Sequence, residues 1–290
     1  MVALLRTGRR PWVEYAALVE ERGSARAVLD EELHSAGGQT TLLPDPTETA
    51  DELIGNASVD LDRWESSGMR LVTVVDSEYP ANLRAVHDRP PMVFVAGTLT
   101  PSDARSVAVV GAREATPSGL EQAARIAAHL VGDNYTVVSG LAAGIDTAAH
   151  ATALSRHGRT IAVIGTGLAR AYPPQNQSLQ RRIADRCAVV SQFWPDSPPT
   201  RRSFPMRNAV MSGIALATVV VEASHTSGAR TQTRLALAQG RPVFLLASLV
   251  DRQAWARELT NRPGTHVVHA PEQITDVIDR LITSDSPLVA

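Results

Sequence analysis

Between Ser106 and Ala247 the chain alternates short, wholly apolar runs with longer amphipathic ones. SVAVVG (106–111), TVVSG (136–140), TIAVIG (160–165), AVVSQF (188–193), TVVVEA (218–223) and PVFLLA (242–247) have the length and β-branched content of strands. The intervening segments carry a different period. In LEQAARIAAHLV, apolar residues recur at Leu120, Ala123, Ala124, Ala127, Leu130 and Val131, and these offsets of three and four mark one buried helix face. IDTAAHATAL, QSLQRRIAD, RNAVMSGIAL and TQTRLALAQ read as helices too. Strands apolar on both faces, each followed by a helix, predict a mainly parallel sheet covered on both sides. With right-handed crossovers this is a doubly wound, Rossmann-like α/β domain.

The flanks are patterned more weakly. WVEYAALVEERG, SARAVLDEELH and DLDRWESSG, separated by the polar stretch GGQTTLLPDPTE, predict a small helical module over residues 1–68. LVTVVD (71–76) reads as an extended lead-in to a strand at 92–96, and HVVHA (266–270) as an added edge strand. PEQITDVIDRLI closes the pattern as a helix opened by Pro271. The expected layout is a module at 1–68 and an extended Rossmann-like domain at 69–290, with its core at 106–247.

Composition narrows the chemistry. The chain contains no lysine, so all 28 fixed side-chain cations are arginines, and the formal net charge is -2. Any phosphate contact must therefore come from a guanidinium fork or from backbone N–H groups. Cys187 is the single cysteine, which excludes an internal disulfide framework and a multi-cysteine metal site; a buried structural thiol is expected. The short apolar run at the N-terminus precedes its arginines, the reverse of an export signal, and no apolar stretch is long enough to span a bilayer. A soluble cytoplasmic protein is expected.

In an open parallel sheet, ligands sit beyond the carboxyl ends of the strands. After the first run comes GAREATPSG, with Gly111 to turn the chain and Arg113 as a phosphate fork. After the second comes SGLAAGIDTAAH, where Ser139, Gly140 and Gly144 suit close approach of backbone amides to an anion. Asp146 there either caps the helix or takes part in binding. The third, GTGLARAYPPQNQ, offers amides at Gly165, Thr166 and Gly167. The fourth, WPDSPPTRRSFPMRN, interleaves Arg201, Arg202 and Arg207 with Trp194 and Phe204 beside Asn208. Arginines beside aromatics suit single strands, although a rigid loop with solvated charges has the same composition. The fifth, EASHTSG, places Glu222, Ser227 and Gly228 at a strand end.

Several chemistries lack their motifs. A Walker loop needs a lysine, and GTGLAR follows the third strand and lacks the last glycine of a dinucleotide fingerprint. Ser139 is not in a nucleophile elbow, and no triad, metal set or carboxylate pair emerges. His150 and His225 read as helix-surface or loop residues. No catalytic residue, metal or cofactor is expected.

Together the strings YPANLRAVHDRPPMVFVAG, SVAVVGAREATPSG, VVSGLAAGIDTAAHATAL, TIAVIGTGLARAYPPQN, SFPMRNAVMSGIA and VVVEASHTSGARTQTRLALAQGRPVF resemble the DNA-processing protein A (DprA/Smf) family, within the Rossmann-like SLOG superfamily. The resemblance covers about 79–247. It implies binding of single-stranded DNA, its delivery to the RecA recombinase in natural transformation, homodimers and no established catalysis. By position, Arg113 matches the family's G-[SA]-R arginine, and Arg201 a basic residue before F-P-x-R-N. Arg207 and Asn208 match that R-N pair, and Gly140, Gly144 and Asp146 the S-G-x-x-x-G-x-D loop.

The chain also departs from the pattern. Gln175, Gln177 and Ser178 stand where relatives often carry lysine, SGARTQT replaces the usual S-G-S-L-I-T, and no winged-helix tail is expected after the closing helix. Two further readings share the fold: a small-nucleotide sensor in stress or phage defence, and a nucleotide phosphoribohydrolase. The latter relies on P-G-G-x-G-T-x-x-E, where this chain has EASHTSGAR.

Overall fold

The computed structural model describes residues 1–36 and 49–284. Helices α1 (Val2–Arg6), α2 (Trp12–Arg22), α3 (Ala25–Ala36) and α4 (Ala50–Ser66) come first, followed by β1 (Met69–Thr73), α5 (Ala81–Arg84) and β2 (Met92–Gly97). The alternating part runs β3 (Ser106–Val110), α6 (Pro117–Gly132), β4 (Thr136–Ser139), α7 (Ile145–Ser155), β5 (Thr160–Val163), α8 (Gln177–Arg186) and β6 (Ala188–Ser191). It continues with α9 (Ser203–Ile214), β7 (Ala217–Val220), α10 (Gly228–Ala238) and β8 (Val243–Leu246). Then come α11 (Ala247–Arg252), α12 (Ala254–Leu259), β9 (Thr265–Val268) and α13 (Glu272–Ser284). The polar stretch 37–48, read as a separator, lies outside the described residues.

Local sequence explains the main boundaries. At α4 the Thr49 side chain accepts from the Glu52 backbone while Glu52 reaches back to Thr49, a reciprocal capping box. Helix α6 starts with Thr116 accepting from the Gly119 amide and Pro117 in its first turn, where a missing N–H costs nothing. Helix α1, which periodicity did not mark, and β9 flank the alternating part.

The strands form one sheet in the order β1-β2-β6-β5-β4-β3-β7-β8-β9. β2 runs antiparallel to both β1 and β6, and every pairing from β6 through to β9 is parallel. Strands β3 to β8 are buried along their whole length, as their unbroken apolar runs require. From β3 the chain winds outward through β4, β5 and β6, then returns across the sheet to place β7 on the other side of β3. The loops after β3 and β7 therefore diverge, and a crevice opens at this switch point.

The helical segment before β1 shares its core with the sheet. Trp64 of α4 meets Phe94 of β2 edge-on at 5.0 Å. Trp194, on the loop after β6, lies 5.7 Å from Trp12 and 6.0 Å from both Trp64 and Phe94. The Arg6 guanidinium lies over the Trp194 ring at 5.6 Å. Trp194 is thus committed to packing, away from the Arg201–Arg207 segment with which it was grouped. Cys187 is buried, as expected. Replacing Trp194 with alanine removes the ring joining three elements and is expected to cost about 3 kcal/mol in urea unfolding.

Candidate functional site

A cleft of about 690 Å³ occupies the switch point, lined by the loop after β3, the first turn of α6, the loop after β7 and α10. A smaller cavity of about 70 Å³ adjoins it, lined by Gly140, Gly165, Tyr172 and Pro173. Arg113, Phe204 and Arg207 line both. The exposed Arg113 guanidinium lies over the Phe204 ring at 5.2 Å and makes no ion pair among the described residues. Tyr172 packs against Phe204, with ring centroids 5.5 Å apart.

Arg207 has a different role from the phosphate fork expected of it. It is 6% exposed; its Nη1 donates to the carbonyl oxygens of Gly140 and Val163 (2.8 Å for the latter), and its Nε donates to Asn208 Oδ1 at 3.0 Å. Asn208 in turn donates to the Gly228 carbonyl at 3.4 Å. A Cβ on Gly140 would lie 2.0 Å from Arg207 Nη1, so only glycine leaves room for the guanidinium there. Burial pulls Arg207 below its ordinary pKa and nearby Asp146 opposes this; the guanidinium stays protonated.

The Gly140 amide, expected to meet an external anion, meets an internal carboxylate instead. Asp146 Oδ2 accepts from the amides of Gly140 (3.1 Å) and Ala142 (3.3 Å). Burial pushes its carboxyl above the usual range, with Arg207 and these amides pulling the other way. Asp146 therefore closes its own loop. Gly144, at φ +76, makes that loop possible: a Cβ there would lie 2.3 Å from the Ala112 carbonyl oxygen. At the start of α6, Glu222 accepts from Thr116 Oγ1 at 2.8 Å and from the Thr116 amide at 3.2 Å.

The remaining predicted residues divide between scaffold and rim. Ser139 is buried and donates to the Val109 carbonyl at 2.6 Å. Gly111 packs against Ile145, Gly165 lies under Phe204, and Gly167 lies against the Trp194 and Pro195 carbonyls. Thr166 is buried and donates to the Arg170 carbonyl at 3.3 Å. Ser227 caps α10 and lines the cleft with Gly228. Arg201 and Arg202 are exposed at the start of α9, outside both cavities and without an ion pair among the described residues.

His150, expected at a helix surface, is fully buried. The Thr160 hydroxyl donates to the Val137 carbonyl at 2.8 Å, so His150 Nδ1–H donates to Thr160 Oγ1 at 2.7 Å. The ring is neutral, its pKa pushed down to about 3 by burial. Sequence reasoning missed Gln232, which lines the cleft from α10. Among the described residues there is no metal-holding group of three or more His, Cys, Asp or Glu, and no helix is long and apolar enough to cross a membrane.

A doubly wound sheet with a cleft at its switch point, edged by an arginine that has no ion pair among the described residues and lies over an aromatic ring, defines an open-sheet fold of the Rossmann kind. The chain belongs to the DNA recombination-mediator protein A family, whose model matches residues 70–279. It is 37% identical over 197 residues to protein Smf of Synechocystis, covering 67% of this chain and 50% of that protein. It is 38% identical over 180 residues to the DNA processing protein DprA of Streptococcus pneumoniae, covering 62% and 64%. The putative DNA processing protein DprA of Mycobacterium tuberculosis is 34% identical over 250 residues, covering 81% and 64%. The matches thus span about half to two thirds of these relatives. The X-ray structure of DNA processing protein A from Streptococcus pneumoniae superposes with a TM-score of 0.67 at 30% identity, covering 87% of this chain and 92% of that one.

Two outcomes test the buried network. Arg207→Met leaves Asp146 without its countercharge and is expected to cost about 3–5 kcal/mol in denaturant unfolding, part of which Asp146→Asn restores in the double variant. His150 has a folded-state pKa below its ordinary 6.5, so its contribution is complete above that value and is lost as pH falls toward 3. Between about pH 6 and 4, wild type is expected to lose roughly 1 kcal/mol of stability per pH unit more than His150→Gln.

Proposed function

We propose that this protein is a cytoplasmic, non-catalytic binder of single-stranded DNA that acts as a homodimer and delivers the strand to a RecA-type recombinase. The observation that carries the reading is Arg113, an exposed fork without an ion pair among the described residues, held against Phe204 at the carboxyl ends of the strands. A phosphate on the fork and a base face on the ring are the two contacts that a single strand offers together and a duplex does not. Arg201 and Arg202, exposed immediately before the helix that carries Phe204, continue the cationic edge.

Family membership supports the same reading. The solved DNA processing protein A from Helicobacter pylori is described by its single-stranded DNA binding mode. On this reading, residues 1–68 are an accessory helical module and residues 69–290 carry the interface.

Each charge-assisted phosphate contact contributes about 1.5–3 kcal/mol net, so three exposed arginines can sustain roughly micromolar binding after ordering costs. Neutralising phosphates also releases counterions, so affinity must fall as salt rises. Fluorescence anisotropy with single-stranded and duplex oligonucleotides over a salt series checks this. Wild type is expected to prefer the single strand. Arg113→Ala is expected to weaken binding about tenfold, and Arg201→Ala/Arg202→Ala to weaken it and flatten the salt dependence. Equal affinity for duplex, or affinity indifferent to these arginines, contradicts the reading.

A further inference from the structure

The loop from β6 to α9 carries the exposed Arg201 and Arg202, and it is held at both ends. At the far end the Thr200 amide donates to Ser203 Oγ at 3.1 Å and the Ser203 amide to Thr200 Oγ1 at 3.0 Å, which seats the loop on α9. At the near end the Ala169 amide donates to the Pro195 carbonyl and the Gly167 amide to the Ser197 carbonyl, both at 3.0 Å. Those bonds tie the segment to another loop. The Trp194 ring reaches regular secondary structure instead: Trp12 of α2, Trp64 of α4 and Phe94 of β2 lie within 6.0 Å, and Arg6 of α1 lies over it. Three of these four contacts come from the helical module. Between the two anchors stand Pro198 and Pro199, whose rings fix φ and stiffen the span. A shift of Trp194 is therefore passed along the loop toward the arginines.

We infer that the helical module braces this loop, with Trp12, acting through Trp194, as a positioning residue for Arg201 and Arg202. Neither tryptophan lines the switch-point cleft or the smaller cavity beside it, so the effect on a ligand is exerted through the loop. Ordering a mobile side chain on binding costs affinity, so a braced fork holds a phosphate more tightly than a loose one. The consequence for binding rests on the single-strand reading; the brace itself does not.

The brace is tested first without DNA. Trypsin cuts after exposed arginines, and cutting at Arg201 and Arg202 in the folded protein reports how often the loop opens. Trp12→Leu keeps apolar bulk and removes the edge-on ring contact, which is worth about two- to tenfold in an opening equilibrium. Cleavage at Arg201 and Arg202 is expected to rise by that factor, while cleavage at the exposed Arg181 and Arg182 of α8 stays unchanged. Trp12→Phe is expected to restore the wild-type pattern. Arg6→Gln removes the cation over Trp194, leaves every ring in place and is expected to act in the same direction. Unchanged cleavage at Arg201 and Arg202 in both variants, or equal acceleration at all four sites, overturns the brace.

The second arm measures single-strand affinity by anisotropy for Trp12→Leu, Arg201→Ala/Arg202→Ala and their combination. A positioning role requires that Trp12→Leu weaken binding when the arginines are present and change nothing once they are gone. Losses that simply multiply, or an unchanged affinity in a variant whose loop is cut faster, overturn that role. If wild type binds no single strand, the single-strand reading fails, and the trypsin pattern still decides whether the brace exists.

Discussion

The guanidinium of Arg207 sits among backbone carbonyls at the carboxyl ends of β4 and β5, close to the buried carboxylate of Asp146. Two charges can stay out of water only when each is paired and its hydrogen-bonding capacity is used. Arg207 uses Gly140, Val163 and Asn208, and Asp146 uses the amides of Gly140 and Ala142. This requirement ties α9 to the ends of two neighbouring strands and to the start of α7. Phe204 lies one turn before Arg207 on the same helix, so the network also sets the ring beneath Arg113.

Internal pairing then decides which groups remain for a ligand. A Rossmann-like rim usually offers helix N-termini and glycine-loop amides to a phosphate. Here Glu222 and Asp146 occupy two such positions from within the chain. The groups left open are exposed arginine forks at the edge. Those are groups suited to a phosphate backbone that stays at the surface. The scarcity of aromatic side chains makes Phe204 the more informative, since Trp12, Trp64, Phe94 and Trp194 pack together elsewhere.

The central strands were legible because a doubly covered strand has to be apolar on both faces, as SVAVV and TVVS are. Their order was not legible: nothing local to Ala217–Val220 says that it pairs with Val107–Val110 rather than with β6. In RRSFPMRN, three arginines of one type have two different fates. The buried stripe of α9, with Val210, Met211 and Ile214, extends back by helical steps to Arg207 and Ser203, so periodicity carried the signal that Arg207 is inside. His150 follows the same rule, lying on a buried stripe with Ile145, Asp146, Ala149 and Ala153. The partners of Trp194 depend on tertiary contacts that no window of sequence contains.

A crystal structure of the protein with a short oligonucleotide tests the account most directly. The expected result is a backbone phosphate within hydrogen-bonding distance of the Arg113 guanidinium, a base against Phe204, and the Arg207–Asp146 network unchanged beneath them. A strand bound elsewhere with Arg113 untouched, or a phosphate held by the Gly140 and Ala142 amides in place of Asp146, would contradict it.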